Sequence, residues 1–224
     1  MSLLENFKCL WQWLCACLSP GASADQDQAG RLEVERKYRI RPEAVSSLGK
    51  ELSGLGFKLT EVIDMCDLFL PVEGQGEMLR IREESSAGRI SYLLTHKVWV
   101  QTSAGGRERR EIEEPLGKLA RDCLVDLSRS QAAGEPPSFS KRRAVYRGKL
   151  AGHKALIALD AVAGLGLYSG DYMEIEILVE KDSFVLAARQ AILKLASRLL
   201  GDEAEPVSMS YREMLEAVSS RGGA

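Results

Sequence analysis

The alternation Glu33-Val-Glu-Arg-Lys37 constrains this chain more than any other feature. Side chains two residues apart in a β-strand point to the same face, so Glu33, Glu35 and Lys37 share one surface. Leu32, Val34, Tyr38 and Ile40 share the other. Taken alone, such a strand fits an ordinary half-exposed ribbon whose charges face bulk water. The design recurs, however. Arg80 and Arg82 flank Ile81, Lys97 shares parity with Leu93 and Thr95, and Arg107, Arg109, Glu111 and Glu113 alternate with Ile112 on the other side. Further on, Lys141 and Arg143 share a face, Asp160 ends an apolar strand, and Glu174 and Glu176 alternate with Met173, Ile175 and Ile177.

An antiparallel sheet with one wet face has little reason to sort acids and bases by strand. Here Glu33/Glu35, Glu174/Glu176 and Asp160 form acid-rich groups, whereas Arg80/Arg82, Lys97 and Lys141/Arg143 are basic. The pattern predicts one interior with a metal-binding side and an anion-binding side. About eight strands can close into a barrel with room for side chains or a small ligand. The expected fold is therefore α+β: a closed antiparallel β-barrel of about eight strands, charged inside, with its apolar exterior covered by amphipathic helices.

In these residues the sequence resembles the CYTH superfamily, the triphosphate tunnel metalloenzymes. Glu33-Val-Glu-Arg-Lys37 resembles its opening Glu-x-Glu-x-Lys, Leu79-Arg-Ile-Arg82 its Leu-x-Arg strand pair, and Leu94-Thr-His-Lys97 its Leu-Thr-x-Lys. Arg110-Glu-Ile-Glu113, Lys141-Arg-Arg143, Leu159-Asp160 with the following Gly-Leu-Gly, Tyr172-Met-Glu-Ile-Glu176 and Ser210-Tyr211 follow in the family's order. Two positions depart from it. Met209 stands where many members carry a lysine, and the Asp-x-Tyr-x-Asp stretch survives only as Asp67-Leu-Phe-Leu.

The resemblance implies a triphosphate as small-molecule partner. A triphosphate carries about four negative charges and needs several cations, for which the planar fork of arginine is well suited. Lys37, Arg80, Arg82, Lys97, Arg109, Lys141 and Arg143 are the candidate phosphate ligands. Mg²⁺ or Mn²⁺ takes oxygen ligands and bridges carboxylates to phosphates. Glu33, Glu35, Glu111, Glu113, Asp160, Glu174 and Glu176 are the candidate metal ligands. Glu35, Lys37 and Glu176 are assigned to catalysis, with base and metal ligand both open for the two carboxylates. Because phosphoryl transfer is mostly positioning and charge neutralisation, no Ser or Cys nucleophile is required. The family contains thiamine triphosphatases, inorganic triphosphatases and class IV adenylate cyclases. The leading expectation is hydrolysis of inorganic or a small organic triphosphate. The runner-up is conversion of ATP to cyclic AMP and pyrophosphate, which Arg109-Arg-Glu-Ile-Glu113 and the Gly-Leu-Gly segment somewhat resemble. A third reading, a non-catalytic polyphosphate or nucleotide-binding module, has only Met209 and the altered Asp67 stretch behind it.

With 224 residues, 45% of them hydrophobic, the chain can bury one substantial core. Lys and Arg number 30 against 32 Asp and Glu, a balance that gives no argument for nucleic acid. Helical spacing appears in Val45, Leu48, Leu52 and Leu55, in Leu116, Leu119, Ala120, Cys123, Leu124 and Leu127, and in Leu186, Ile192, Leu195, Leu199 and Leu200. A short fourth helix is expected from Met209 to Val218, with hairpin turns at Ser85 to Gly88, Ser103 to Gly106 and Leu150 to Gly152. The expected division is an N-terminal extension at 1–30, the CYTH domain at 31–218 and a tail at 219–224. Leu10 to Leu18 is too short to span a bilayer and makes a poor secretory signal. Residues 1–18 suit either docking or weak peripheral membrane attachment of a cytoplasmic protein. Cys66 and Cys123 read as small buried apolar residues, and His96 and His153 lack companions for a zinc site.

Overall fold

Two short turns show how the local sequence shapes the sheet. Ala87-Gly88 and Ala151-Gly152 take positive φ at both residues, 49° and 77° in the first pair and 50° and 84° in the second. This is the backbone of a two-residue hairpin turn, whose twist matches that of the flanking strands. The computed structural model describes residues 32–72, 77–103, 105–132, 134–201, 204 and 206–221. Its strands are β1 (Leu32–Ile40), β2 (Lys58–Leu70), β3 (Met78–Ser86), β4 (Arg89–Gln101), β5 (Arg107–Leu116), β6 (Ser138–Leu150), β7 (His153–Ala163) and β8 (Gly170–Val179). The helices are α1 (Val45–Gly54), α2 (Lys118–Ala132), α3 (Val185–Leu200) and α4 (Tyr211–Arg221).

The eight strands form one curled antiparallel sheet in the order β1-β5-β4-β3-β2-β6-β7-β8. Seven of the neighbouring pairs are joined by long ladders, such as Leu32↔Val179 through Ile40↔Asp171 between β1 and β8. The remaining seam, between β1 and β5, is a single registered pair, Glu33↔Arg109. The α+β architecture and eight antiparallel strands are as expected, but the closed barrel is met only as a curled sheet: its two edges touch at one bridge instead of a ladder. What braces that edge is α3 together with the turn Asp182–Phe184 that precedes it. Arg189 Nε donates to Glu108 Oε1 at 2.7 Å, its Nη1 donates to the Gly105 carbonyl at 2.8 Å, and Ser103 N donates to Asp182 Oδ2 at 2.6 Å.

Apolar residues of β1 and β8, Val34, Ile175, Ile177 and Val179 among them, are fully buried against Val185, Ala188 and Ile192 of α3. Leu79, Ile81 and Leu94 are covered by Leu124 and Val125 of α2. Tyr211, Met214 and Leu215 of α4 pack on Phe69, Phe139, Val162 and Tyr172 at one end of the curled sheet. The covering is incomplete, since Leu59, Val62, Ile90 and Ile112 remain exposed on strands. Two helix stripes are also phased differently from expectation. Leu119 and Leu186 are exposed, and Val125 and Val185 take the inward places. Cys66 and Cys123 are exposed rather than buried, Cys66 on an outer stretch of β2 and Cys123 on the outer side of α2.

The proposed extension at 1–30 lies outside the described residues, as does part of the tail at 219–224. Among the described residues no helix is long and apolar enough to cross a membrane.

Candidate functional site

The lumen holds a cavity of about 690 Å³ whose wall is sorted by charge around the sheet. The acid-bearing strands β7, β8, β1 and β5 are contiguous, and so are β4, β3, β2 and β6, which carry Lys97, Arg80, Arg82, Lys141 and Arg143. Alternation sets which residues face inward, and strand order sets which charges become neighbours. The sorting has exceptions: Arg36 and Lys37 line the acidic arc, and Asp67, Glu61 and Glu84 line the basic one.

Asp67 is 1% exposed and is gripped by both arginines of β3. Arg82 Nε and Nη2 donate to its two oxygens at 2.6 and 2.8 Å, and Arg80 Nη1 donates at 3.2 Å. These guanidinium groups hold the Asp67 carboxyl far below the ordinary carboxylate range despite its burial. Arg80 Nη2 also donates to Thr95 Oγ1 at 3.1 Å, and that hydroxyl donates to Glu113 Oε1 at 3.0 Å. Arg80 Nε is buried without a hydrogen-bond partner.

On the β6 side, Arg143 donates from Nε and Nη2 to Asp160 at 2.7 and 2.6 Å, and Nη2 also contacts Glu174. Glu174 is held well below its usual range, against the cost of burial, by Arg143, Lys141 and Lys37. Lys141 lies 3.4 Å from Asp160. Burial and the neighbouring Arg143 charge nevertheless push its ammonium down to about 8. Across the lumen, Lys97 Nζ sits 3.0 Å from Glu33 and 2.7 Å from Glu111. Glu111 is lowered to about 2, its burial outweighed by Lys97 and Arg80. For Glu176 burial outweighs the nearby Lys97 charge and, with Glu111 and Glu35 adding to it, pushes the carboxyl up to about 7. Burial also raises Glu33 well above its ordinary value.

Of the residues named from sequence, Glu33, Glu35, Lys37, Arg80, Arg82, Lys97, Glu111, Glu113, Lys141, Arg143, Glu174 and Glu176 all line this cavity. Asp160 is 2% exposed and is brought under Arg143, Lys141 and Tyr211 instead of onto the wall. The side chain of Arg109 lies outside the described residues. Among the described residues no three His, Cys, Asp or Glu side chains are gathered tightly enough to hold a metal by themselves. The sequence reading missed Asp67 as a counter-ion, although five basic side chains on one arc of wall demand a buried acid. Tyr211 is named from sequence only as part of the Ser210-Tyr211 motif, with no role in the site, because helical spacing says nothing about which strand a helix residue will meet.

The CYTH domain family model matches residues 31–211. The chain belongs to the CYTH family. Among solved structures, a CYTH-like fold is shared with a Pyrococcus horikoshii protein at 24% identity, covering 83% of this chain and 99% of that one with a TM-score of 0.61. A candidate adenylate cyclase from Vibrio parahaemolyticus matches at 24% identity over 84% and 99%, with a TM-score of 0.60. A candidate adenylyl cyclase from Hippeastrum, whose dominant activity is triphosphatase, matches at 20% over 84% and 96%, with a TM-score of 0.54. At these identities the likeness is one of fold. No curated protein matches the chain.

Proposed function

We propose that this CYTH protein is a metal-dependent triphosphatase that hydrolyses inorganic triphosphate or a small organic triphosphate inside the curled sheet, the lumen working as a tunnel. The observation that carries this reading is the arc of Lys97, Arg80, Arg82, Lys141 and Arg143 facing an acidic arc across one cavity. An anion with about four negative charges fits that arc, since each phosphate oxygen can take a charge-assisted hydrogen bond. Arg80 Nε is a buried donor without an acceptor, which a bound phosphate oxygen would supply.

The opposite arc fits a hard divalent cation. Its donors are all carboxylate oxygens, and Glu176 and Glu33 carry raised pKa values that a neighbouring cation would relieve. The absence of a tight three-carboxylate cluster suits Mg²⁺ or Mn²⁺, which keeps waters and shares its coordination with phosphates. Glu33, Glu35, Glu111 and Glu176 would hold it, and Glu113, Asp160 and Glu174 would support the site. When bound, such a cation polarises phosphoryl oxygens and lowers the pKa of water. The protein's own part is to orient the chain of phosphates along Arg80, Arg82, Lys97, Lys141 and Arg143, and to offer Glu35 or Glu176 as acceptor for a proton of the attacking water. Lys37 then faces the charge that develops on the phosphoryl group. Water attacks the terminal phosphorus, the bridging P–O bond breaks, and phosphate and a diphosphate leave. The catalytic unit spans 31–218, works facing the cytoplasm, and carries residues 1–30 as a docking or membrane-associating extension.

Single substitutions test these roles. Glu35→Ala is expected to abolish metal-dependent phosphate release. Arg82→Ala should raise KM for the triphosphate at least ~10-fold, since a charge-assisted hydrogen bond contributes about 1.5–3 kcal/mol. Full activity in both variants would remove the lumen from the mechanism.

A further inference from the structure

Tyr211 has no part in the reaction as described above, yet its side chain meets more of the site than any other residue of α4. Its hydroxyl donates to Asp160 Oδ2 at 3.1 Å, on the carboxylate that Arg143 grips and that Lys141 approaches. Its ring lies beneath two cations, with Lys37 Nζ 3.9 Å and Lys141 Nζ 5.1 Å from the centroid. The ring is in turn fixed from behind by Tyr172, edge-on at 5.5 Å, and by Phe139 at 5.2 Å. Only 8% of the residue is exposed, and it lines the cavity.

We infer that Tyr211 is a positioning residue for the anion: its ring face seats the Lys37 and Lys141 ammonium groups at the cavity wall where the phosphates would lie. This rests on the triphosphate reading of the cavity and deepens it. An ammonium has three donors on a flexible four-carbon stem, so an unseated lysine spreads its charge over many rotamers. A ring face attracts the charge, and more strongly where water is excluded, yet it accepts no strong hydrogen bond. It therefore localises each cation alongside the partners that the lysine keeps, Asp160 among them for Lys141. Asp160 serves as the anchor, since the hydroxyl bond fixes the ring's orientation and ties α4 to β7. The helix Tyr211–Arg221 thus brings an aromatic seat to two lysines that come from strands β1 and β6.

The test is equilibrium binding of inorganic triphosphate by calorimetry in the presence of chelator, on the full chain and on Tyr211→Phe and Tyr211→Leu, with melting curves and KM and kcat in parallel. Tyr211→Phe keeps the ring and is expected to bind within about threefold of the parent. Tyr211→Leu is expected to weaken binding on the order of tenfold, the loss falling on KM more than on kcat. In the Leu background, Lys37→Met should cost less than it does in the parent, because its seat is already gone. Should the Leu variant fail to fold, Tyr211→Met, which fills irregular space flexibly, takes its place in the same cycle. Equal binding by the parent and the Leu or Met variant would overturn the inference. So would equal weakening by Phe and Leu, or an additive cycle with Lys37. Failure of the parent itself to bind triphosphate would instead overturn the reading of the cavity.

Discussion

Lys141 is where the site's electrostatics should be most visible in solution. Burial and Arg143 disfavour its charged form, so its pKa stands near 8 rather than near 10.5. Above that value the ammonium loses its proton, and the cavity loses one of the charges that an anion needs. Triphosphate affinity is therefore expected to hold below about pH 7, to weaken as pH rises through about 8, and to lose that inflection in Lys141→Met; calorimetric titration across this range reads it directly. Glu176 works in the opposite sense on stability. Its carboxyl, raised to about 7, is favoured protonated in the folded state. The stability it contributes is complete below the ordinary carboxylate pKa of about 4.5 and is lost as pH rises through about 7. Glu176→Gln should flatten that fall in melting temperature, with a difference of about 2–3 kcal/mol at neutral pH. An unchanged pH profile would mean that Glu176 is ionised without penalty. At this scale the sequence was legible wherever alternation along a strand decides which way a side chain points, as at Glu33, Arg82 and Glu174. It was silent on pairing. Whether Asp160 lies on the wall or beneath Arg143 depends on side-chain reach, which parity does not encode.

At the scale of elements, hairpins and helices were legible because local chemistry specifies them. Ala-Gly at 87–88 and 151–152 supplies the two positive φ angles of a tight turn, and Leu48 and Leu52 mark one inward face of α1. The phases of α2 and α3 were less legible, because Leu119 and Leu186 differ from their neighbours Ala120 and Val185 only in what the tertiary structure places beside them. The seam was not legible at all. It depends on β1 meeting β5 across most of the sequence of strands, and only Glu33↔Arg109 is paired there. Arg189 braces that edge through Glu108, whose side chain is 5% exposed. Arg189→Met should therefore speed amide exchange at residues 107–110 while leaving the β1–β8 ladder protected, as hydrogen-exchange mass spectrometry would show. Equal protection in the variant would mean that β5 is held without α3.

In the whole molecule, one curled sheet sets two oppositely charged arcs around a single cavity. The fold leaves the choice of substrate to the cavity, since one fold can carry several activities. Its charge design favours a short polyanion, and the near balance of total charge means that this field is local to the lumen. The most direct measurement is product analysis by chromatography after incubating the protein with inorganic triphosphate, thiamine triphosphate or ATP, each with Mg²⁺, Mn²⁺ or chelator. Phosphate and a diphosphate are expected, released only with the metal present. Pyrophosphate with cyclic AMP from ATP, or tight binding of every triphosphate with no turnover under any condition, would contradict that expectation.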